Sequence, residues 1–152
     1  MKISEKLAEL GLELPAVAAP VAAYLPALKD GELVMTSGQL PLKDGELVAT
    51  GVMGTADAPS VEEAAQAARQ CALNAIAAAA EVAGGVDNLA AAIKVTGFVA
   101  SAPDFNGQPQ VINGASELLA EVFGSGHARS AVGVAALPLN ASCEVEVTFR
   151  LA

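Results

Sequence analysis

Residues 60–85 restrict the folds open to this chain more than any other stretch. Ser60-Val61-Glu62-Glu63 is a capping box. The serine hydroxyl can accept the backbone N–H of Glu63, whose carboxylate reaches back to the N–H of Ser60. Val61, Ala64, Ala68, Cys71, Ala75, Ala79 and Val82 then recur at helical spacing, and Gly84-Gly85 closes the helix. Its apolar face is mostly alanine, and a face that shallow must lie close against a sheet.

The rest of the chain supplies that sheet. Leu33–Gly38 and Ile93–Ala100 read as strands, the second rich in Val, Thr and Phe. Lys43-Asp44-Gly45-Glu46 is a turn signal, with a hairpin return through Leu47 and Val48. A second long helix begins near Pro109, where proline is tolerated, and Gly124 ends it. Its buried face holds Ile112, Ala115, Leu118, Leu119, Val122 and Phe123. Arg129–Leu137 and Cys143–Leu151 read as two further strands joined at Pro138-Leu139-Asn140-Ala141. Upstream, Ser4–Leu10 reads as a short helix with Ser4 as N-cap and Gly11 as stop. Residues 15–30, with Pro15, Pro20 and Pro26, read as an extended, irregular approach.

The order hairpin, helix, strand, helix, two strands predicts an α+β domain with two main helices packed on one face of one sheet. The strands around Val95–Ala100 and Ala131–Leu137 are apolar at both parities. Such strands want both faces covered, and two helices cover only one, so self-association is expected.

At 152 residues the chain fits one domain that needs neither disulfide nor structural metal. Eight basic against 17 acidic residues give a net charge of −9, a field that repels polyphosphates. With no Trp, one Tyr and four Phe there is little to stack bases on, so nucleic acid is not expected as a partner. Cys71 and Cys143 sit in apolar runs without metal-ligand spacing and read as buried, reduced thiols. The N-terminus lacks the apolar run of a signal peptide, and the alanine-rich stretch 71–83 is too short for a membrane span. The expected compartment is the cytosol.

The C-terminal block His127-Ala128-Arg129-Ser130-Ala131-Val132, followed by Leu137-Pro138 and Glu144-Val145-Glu146-Val147, resembles the signature of the Rid/YjgF family of reactive-intermediate deaminases. Thr36-Ser37-Gly38-Gln39-Leu40-Pro41 is similar to the family's early strand motif. Gln70, Leu73 and Asn74 resemble its first long helix, Lys94–Val99 its third strand, and Asn113 and Glu117 its second helix. The resemblance runs from about Pro20 to the C-terminus, which makes 1–152 a single domain with 1–20 as an N-terminal helical extension. It implies a chorismate-mutase-like fold, a homotrimer with ligand clefts between subunits, and hydrolysis of 2-imino acids to 2-oxo acids and ammonia without a cofactor or metal.

The same resemblance assigns roles. Arg129 matches the arginine that binds the substrate carboxylate, a task suited to a permanently charged planar fork. The alternative is a surface arginine that balances an acidic chain. Glu144 matches the glutamate that orients or deprotonates the attacking water. It shares the polar parity of the last strand with Glu146, Thr148 and Arg150, and alternation alone does not choose between the two glutamates. Ser37 and Gly38 match the strand lining the cleft, Tyr24 an aromatic that closes it, and Asn113 a hydrogen-bonding residue from the second helix. Each of these could equally be structural. His127 is the only histidine, so a histidine triad or metal site has no partners.

The pattern also departs from the family. Ala131 stands where the best-studied members have a cysteine beside the substrate, and Gly133 where they have a polar residue. Leu25-Pro26 replaces the usual glutamine pattern, and Asn106-Gly107-Gln108-Pro109 looks like an insertion. These changes bear on substrate more than on fold. Three functions stand side by side: an imine deaminase, a non-catalytic trimer that binds small carboxylates, and a ribonuclease, which net charge and the lone histidine disfavour.

Overall fold

A computed structural model describes residues 1–17 and 23–152. The boundary expected near Pro20 lies outside the described residues. Helix α1 (Ile3–Glu9) is followed by strands β1 (Ala27–Asp30) and β2 (Leu33–Thr36) and a two-residue ribbon, β3 (Leu42–Lys43) and β4 (Glu46–Leu47). Helix α2 (Val61–Ala83), strand β5 (Leu89–Ala100), helix α3 (Gln108–Phe123) and strands β6 (Ala128–Val134) and β7 (Cys143–Leu151) complete the domain.

The five-stranded sheet has the order β1-β2-β7-β5-β6. β5 and β6 run parallel, while the other pairs are antiparallel. β6 and β7, consecutive in the chain, are therefore not neighbours, because β5 lies between them. Helices α2 and α3 pack together and lie on one face. There they bury Val34, Val95, Val99, Val145, Val147 and Phe149.

Ser60 and Glu63 make the reciprocal bonds that their spacing predicts, at 3.1 and 3.0 Å, and Gly84 ends α2 in the left-handed region. The alanine face does bring the helices close. A Cβ on Gly114 of α3 would land on the carbonyl oxygen of Ala65 in α2, so the helices touch backbone to backbone. Cys71 and Cys143 are buried and free.

Three sequence expectations need correction. The strand beginning at Leu33 does not pair with Leu47 and Val48; it pairs with β1, which the three prolines of residues 15–30 obscure. The two-residue turn is Gly31-Glu32, between the paired Asp30 and Leu33, with Gly31 at φ 61°; Asp44-Gly45 closes only the β3–β4 ribbon. Ser4 is not the N-cap of α1, which is Lys2. Instead, the amide and hydroxyl of Ser4 each donate to the Asp87 carboxylate at 2.8 Å. This grip holds the Asp87 carboxyl below its usual pKa and ties α1 to the turn before β5. We expect Asp87→Ala to speed amide exchange in α1 selectively, leaving α2 protected, as hydrogen-exchange mass spectrometry would read.

The third correction concerns the uncovered face. It is not wholly apolar, because the alternation of β7 sends Glu144, Glu146 and Thr148 there beside Lys94 and Thr96. Met35, 39% exposed, and Val132, 42% exposed, remain in the open around this polar row. Among the described residues no helix is long and apolar enough to cross a membrane.

Candidate functional site

Arg129 sits on β6, the edge strand, in register with the buried Val95 of β5. It shares the helix-facing side of the sheet, and its guanidinium meets α3. Its Nη1 donates to Asn113 Oδ1 at 2.8 Å and to Ser116 Oγ at 3.2 Å, and its Nη2 reaches the Pro109 carbonyl at 3.5 Å. Both Nη1 protons are thus committed to neutral acceptors. Among the described residues the only ion pair is Lys6–Glu9, so no carboxylate lies against Arg129. The Nε–H and one Nη2–H form an edge on which a carboxylate could bind in two-point fashion.

Ser116, three residues beyond Asn113 on the same face of α3, was not singled out from sequence; the i, i+3 spacing was its only signal. Its hydroxyl also meets His127 Nε2 at 3.0 Å, while His127 Nδ1 is buried without a partner. Burial, with the Arg129 charge second, holds the imidazole below its usual pKa of 6.5. The sign follows from linkage. The folded state resists protonation, so the stability tied to neutral His127 is complete above pH 6.5 and is lost as pH falls through the lowered folded value. Urea titrations at pH 8 and pH 5 should show a smaller acid-side loss in His127→Gln than in wild type.

A second cluster surrounds Glu144. Ser37 Oγ donates to the Leu25 carbonyl at 2.5 Å and Ser37 N to the Pro26 carbonyl at 2.8 Å, which pins the segment after Tyr24 to the end of β2. Tyr24 itself is 53% exposed. The Glu144 side chain lies directly over Gly38, where a Cβ would collide with the carboxylate. A side chain at position 38 would have to displace it. Burial, and then the nearby Glu146 charge, push the Glu144 carboxyl above its ordinary value of 4.5. Glu146, on the same side of β7, lines a cavity of about 210 Å³ with Met35, Lys94, Thr96 and Thr148. Of the two glutamates, it is Glu144 that lies against Gly38.

Arg129, Asn113 and Ala131 therefore form one cluster, and Ser37, Gly38 and Glu144 another. They open on opposite faces of the sheet. Glu144 is in register with Phe98 and Arg129 with Val95, on strands separated by β5. Two strand spacings and three residues put their Cα atoms roughly 14 Å apart. Within one copy, no small ligand spans both. Among the described residues no three His, Cys, Asp or Glu side chains converge as a metal site would require.

This sheet order, with two helices on one face and an arginine at the sheet edge, defines a chorismate-mutase-like α+β protein. The family described as "YjgF/chorismate mutase-like, putative endoribonuclease" matches residues 4–151. Protein TCP17 of Trypanosoma cruzi is 39% identical over 99% of this chain and 94% of its own length. The crystal structure of Atu1372 from Agrobacterium tumefaciens, a protein of unknown function, superposes with a TM-score of 0.87 at 42% identity, covering 99% of this chain and 92% of that one. TdcF of E. coli, solved with bound serine, superposes at 0.64 with 26% identity, covering 90% of this chain and 94% of that one. The chain belongs to the YjgF/RidA family.

Proposed function

We propose that this protein is a homotrimeric hydrolase that converts small 2-imino acids to 2-oxo acids and ammonia in clefts between copies. The observation that carries the proposal is Arg129: a partly buried cation held by neutral acceptors, with one donor edge left free. A protein that fixes a guanidinium in this way leaves its charge available to an external anion. The family relation and the serine bound to TdcF favour a small carboxylate over a larger anion.

The two half-sites call for a second copy. With the Arg129 cluster of one chain facing the Glu144 cluster of the next, the substrate carboxylate rests on the Nε/Nη2 edge and its imine carbon lies near Glu144. Water adds to that carbon while Glu144 takes its proton. The resulting amino alcohol collapses to the ketone as the proton returns to the departing nitrogen, releasing ammonia. One water is consumed, and no electrons are exchanged. The raised Glu144 carboxyl suits this use, since a base with pKa nearer the working pH holds and gives up a proton more readily.

The alternative is binding without turnover, favoured by the unreactive Ala131 and Gly133 beside Arg129. A ribonuclease is the weaker reading, given the net charge of −9 and a single histidine whose Nε2 is engaged by Ser116. The test follows decay of an imine generated by an amino-acid oxidase, with wild type and Glu144→Gln. Acceleration by wild type is expected, with a loss of at least about 100-fold in the variant. Saturable binding of 2-oxobutyrate without acceleration would make the protein a carrier.

Stability should move the other way. A raised carboxyl pKa contributes stability below pH 4.5 that is lost as pH rises through the folded value. Glu144→Gln should therefore be more stable than wild type at pH 7 in urea denaturation while being less active.

A further inference from the structure

Downstream of Arg129, the helix-facing side of β6 continues through Ala131 to Gly133, in register with Gly97 and Val99 of β5. Both side chains are minimal, so little projects from this side of the strand beyond the guanidinium. At Gly133 the room is taken by side chains from residues 101 and 108. A Cβ on Gly133 would meet Gln108 Nε2 at 2.8 Å and Ser101 Oγ at 3.2 Å. The Gln108 amide thus occupies the room left by the missing side chain at position 133.

The hydrogen bonds there fix the orientation of that amide. Gln108 Nε2 lies 2.7 Å from the Phe105 carbonyl, which can only accept, so the nitrogen and not the oxygen points that way. The second N–H reaches Ser101 Oγ at 3.2 Å, and the Ser101 hydroxyl spends its own proton on the Val99 carbonyl at 2.7 Å. Every donor in this short chain is used. The Gln108 carbonyl oxygen is left without a protein donor among the described residues, in a side chain that is only partly buried. The adjacent residue, Pro109, presents its carbonyl to Arg129 Nη2. Gln108 and the guanidinium therefore flank the same first turn of α3.

We propose that Gln108, oriented by Ser101 and accommodated by Gly133, is a specificity-determining residue whose carbonyl oxygen selects ligands with a hydrogen-bond donor at the end remote from the carboxylate. The proposal rests on carboxylate binding at Arg129. It extends that reading to a substrate class: 2-imino or 2-oxo acids bearing a terminal hydroxyl, amide or amine, in preference to purely aliphatic ones. An aliphatic end would leave the carbonyl desolvated and unpaired, and a site built to pair with such a group discriminates against the analogue lacking it.

The test is calorimetric titration of the whole protein with 4-hydroxy-2-oxobutyrate and with its isostere 2-oxopentanoate, which carries a methyl in place of the hydroxyl. Wild type should bind the hydroxy acid roughly five- to tenfold more tightly. Gln108→Leu should bring the two to parity without weakening 2-oxopentanoate. Gly133→Ala, whose added methyl displaces the amide, should do the same through a different residue. Equal affinity of wild type for both ligands overturns the proposal, as does a preference that survives in Gln108→Leu. Failure of both ligands to bind, or binding indifferent to Arg129→Ala, would instead remove the carboxylate site on which the proposal rests, and the proposal with it.

Discussion

Arg129→Ala is expected to lower affinity for a small 2-oxo acid by about 100-fold, a loss of about 2.7 kcal/mol. The size follows from how the guanidinium is held. Asn113 and Ser116 take both protons of Nη1, so the remaining edge is set before the ligand arrives and little rotamer freedom is lost on binding. Charge-assisted bonds of this kind are worth roughly twice their neutral counterparts. Arg129→Lys should recover only part of the loss, because an ammonium keeps the charge and forfeits the planar fork. Asn113→Ala should weaken binding less than Arg129→Ala, since it loosens the fork without removing it. Calorimetry with 2-oxobutyrate across the three variants reads the order directly, and equal effects of the Lys and Ala replacements would contradict a two-point contact.

Gly114→Ala is expected to destabilise the fold by about 2 kcal/mol, against the usual helical preference for alanine of about 1 kcal/mol. The added methyl would fall on the Ala65 carbonyl in the second turn of α2, and a backbone group cannot rotate aside. The two helices must separate, and the packing that joins them to β5 and β7 loosens with them. Because Gly114 follows Asn113 on α3, the shift also disturbs the support of Arg129. Urea denaturation at fixed protein concentration should show the lower midpoint, and carboxylate affinity should fall in parallel. A variant as stable as wild type would mean that the close approach of α2 and α3 is not needed.

The contrast between what was legible in sequence and what was not follows the range of the forces involved. The capping box at Ser60, the alanine face of α2, the proline start of α3 and the alternation of β7 are local, and each matches its spacing. The side of β7 on which Glu144 lies was readable for the same reason. β1 is hidden because prolines dominate residues 15–30 and its turn, Gly31-Glu32, is a less specific hairpin signal than Asp44-Gly45. The insertion of β5 between β6 and β7 is a matter of long-range register, which no local pattern carries. Nor could the face on which Arg129 lies be read, since the residues from Ala131 onward are apolar at both parities and only its contact with α3 decides. The separation of Arg129 from Glu144 followed from those two facts together, as did the partnership of Ser116 with Arg129.

The central claim is that a small carboxylate binds on Arg129 of one copy within reach of Glu144 of another. A crystal structure of the protein with 2-oxobutyrate tests it most directly. A trimer is expected, with the ligand carboxylate on the Nε/Nη2 edge of Arg129. Glu144 of a second copy should lie within hydrogen-bond distance of the ligand's C2 oxygen or of a water beside it. Ligand bound away from Arg129, or Arg129 and Glu144 opening into separate spaces in the assembled protein, would contradict it.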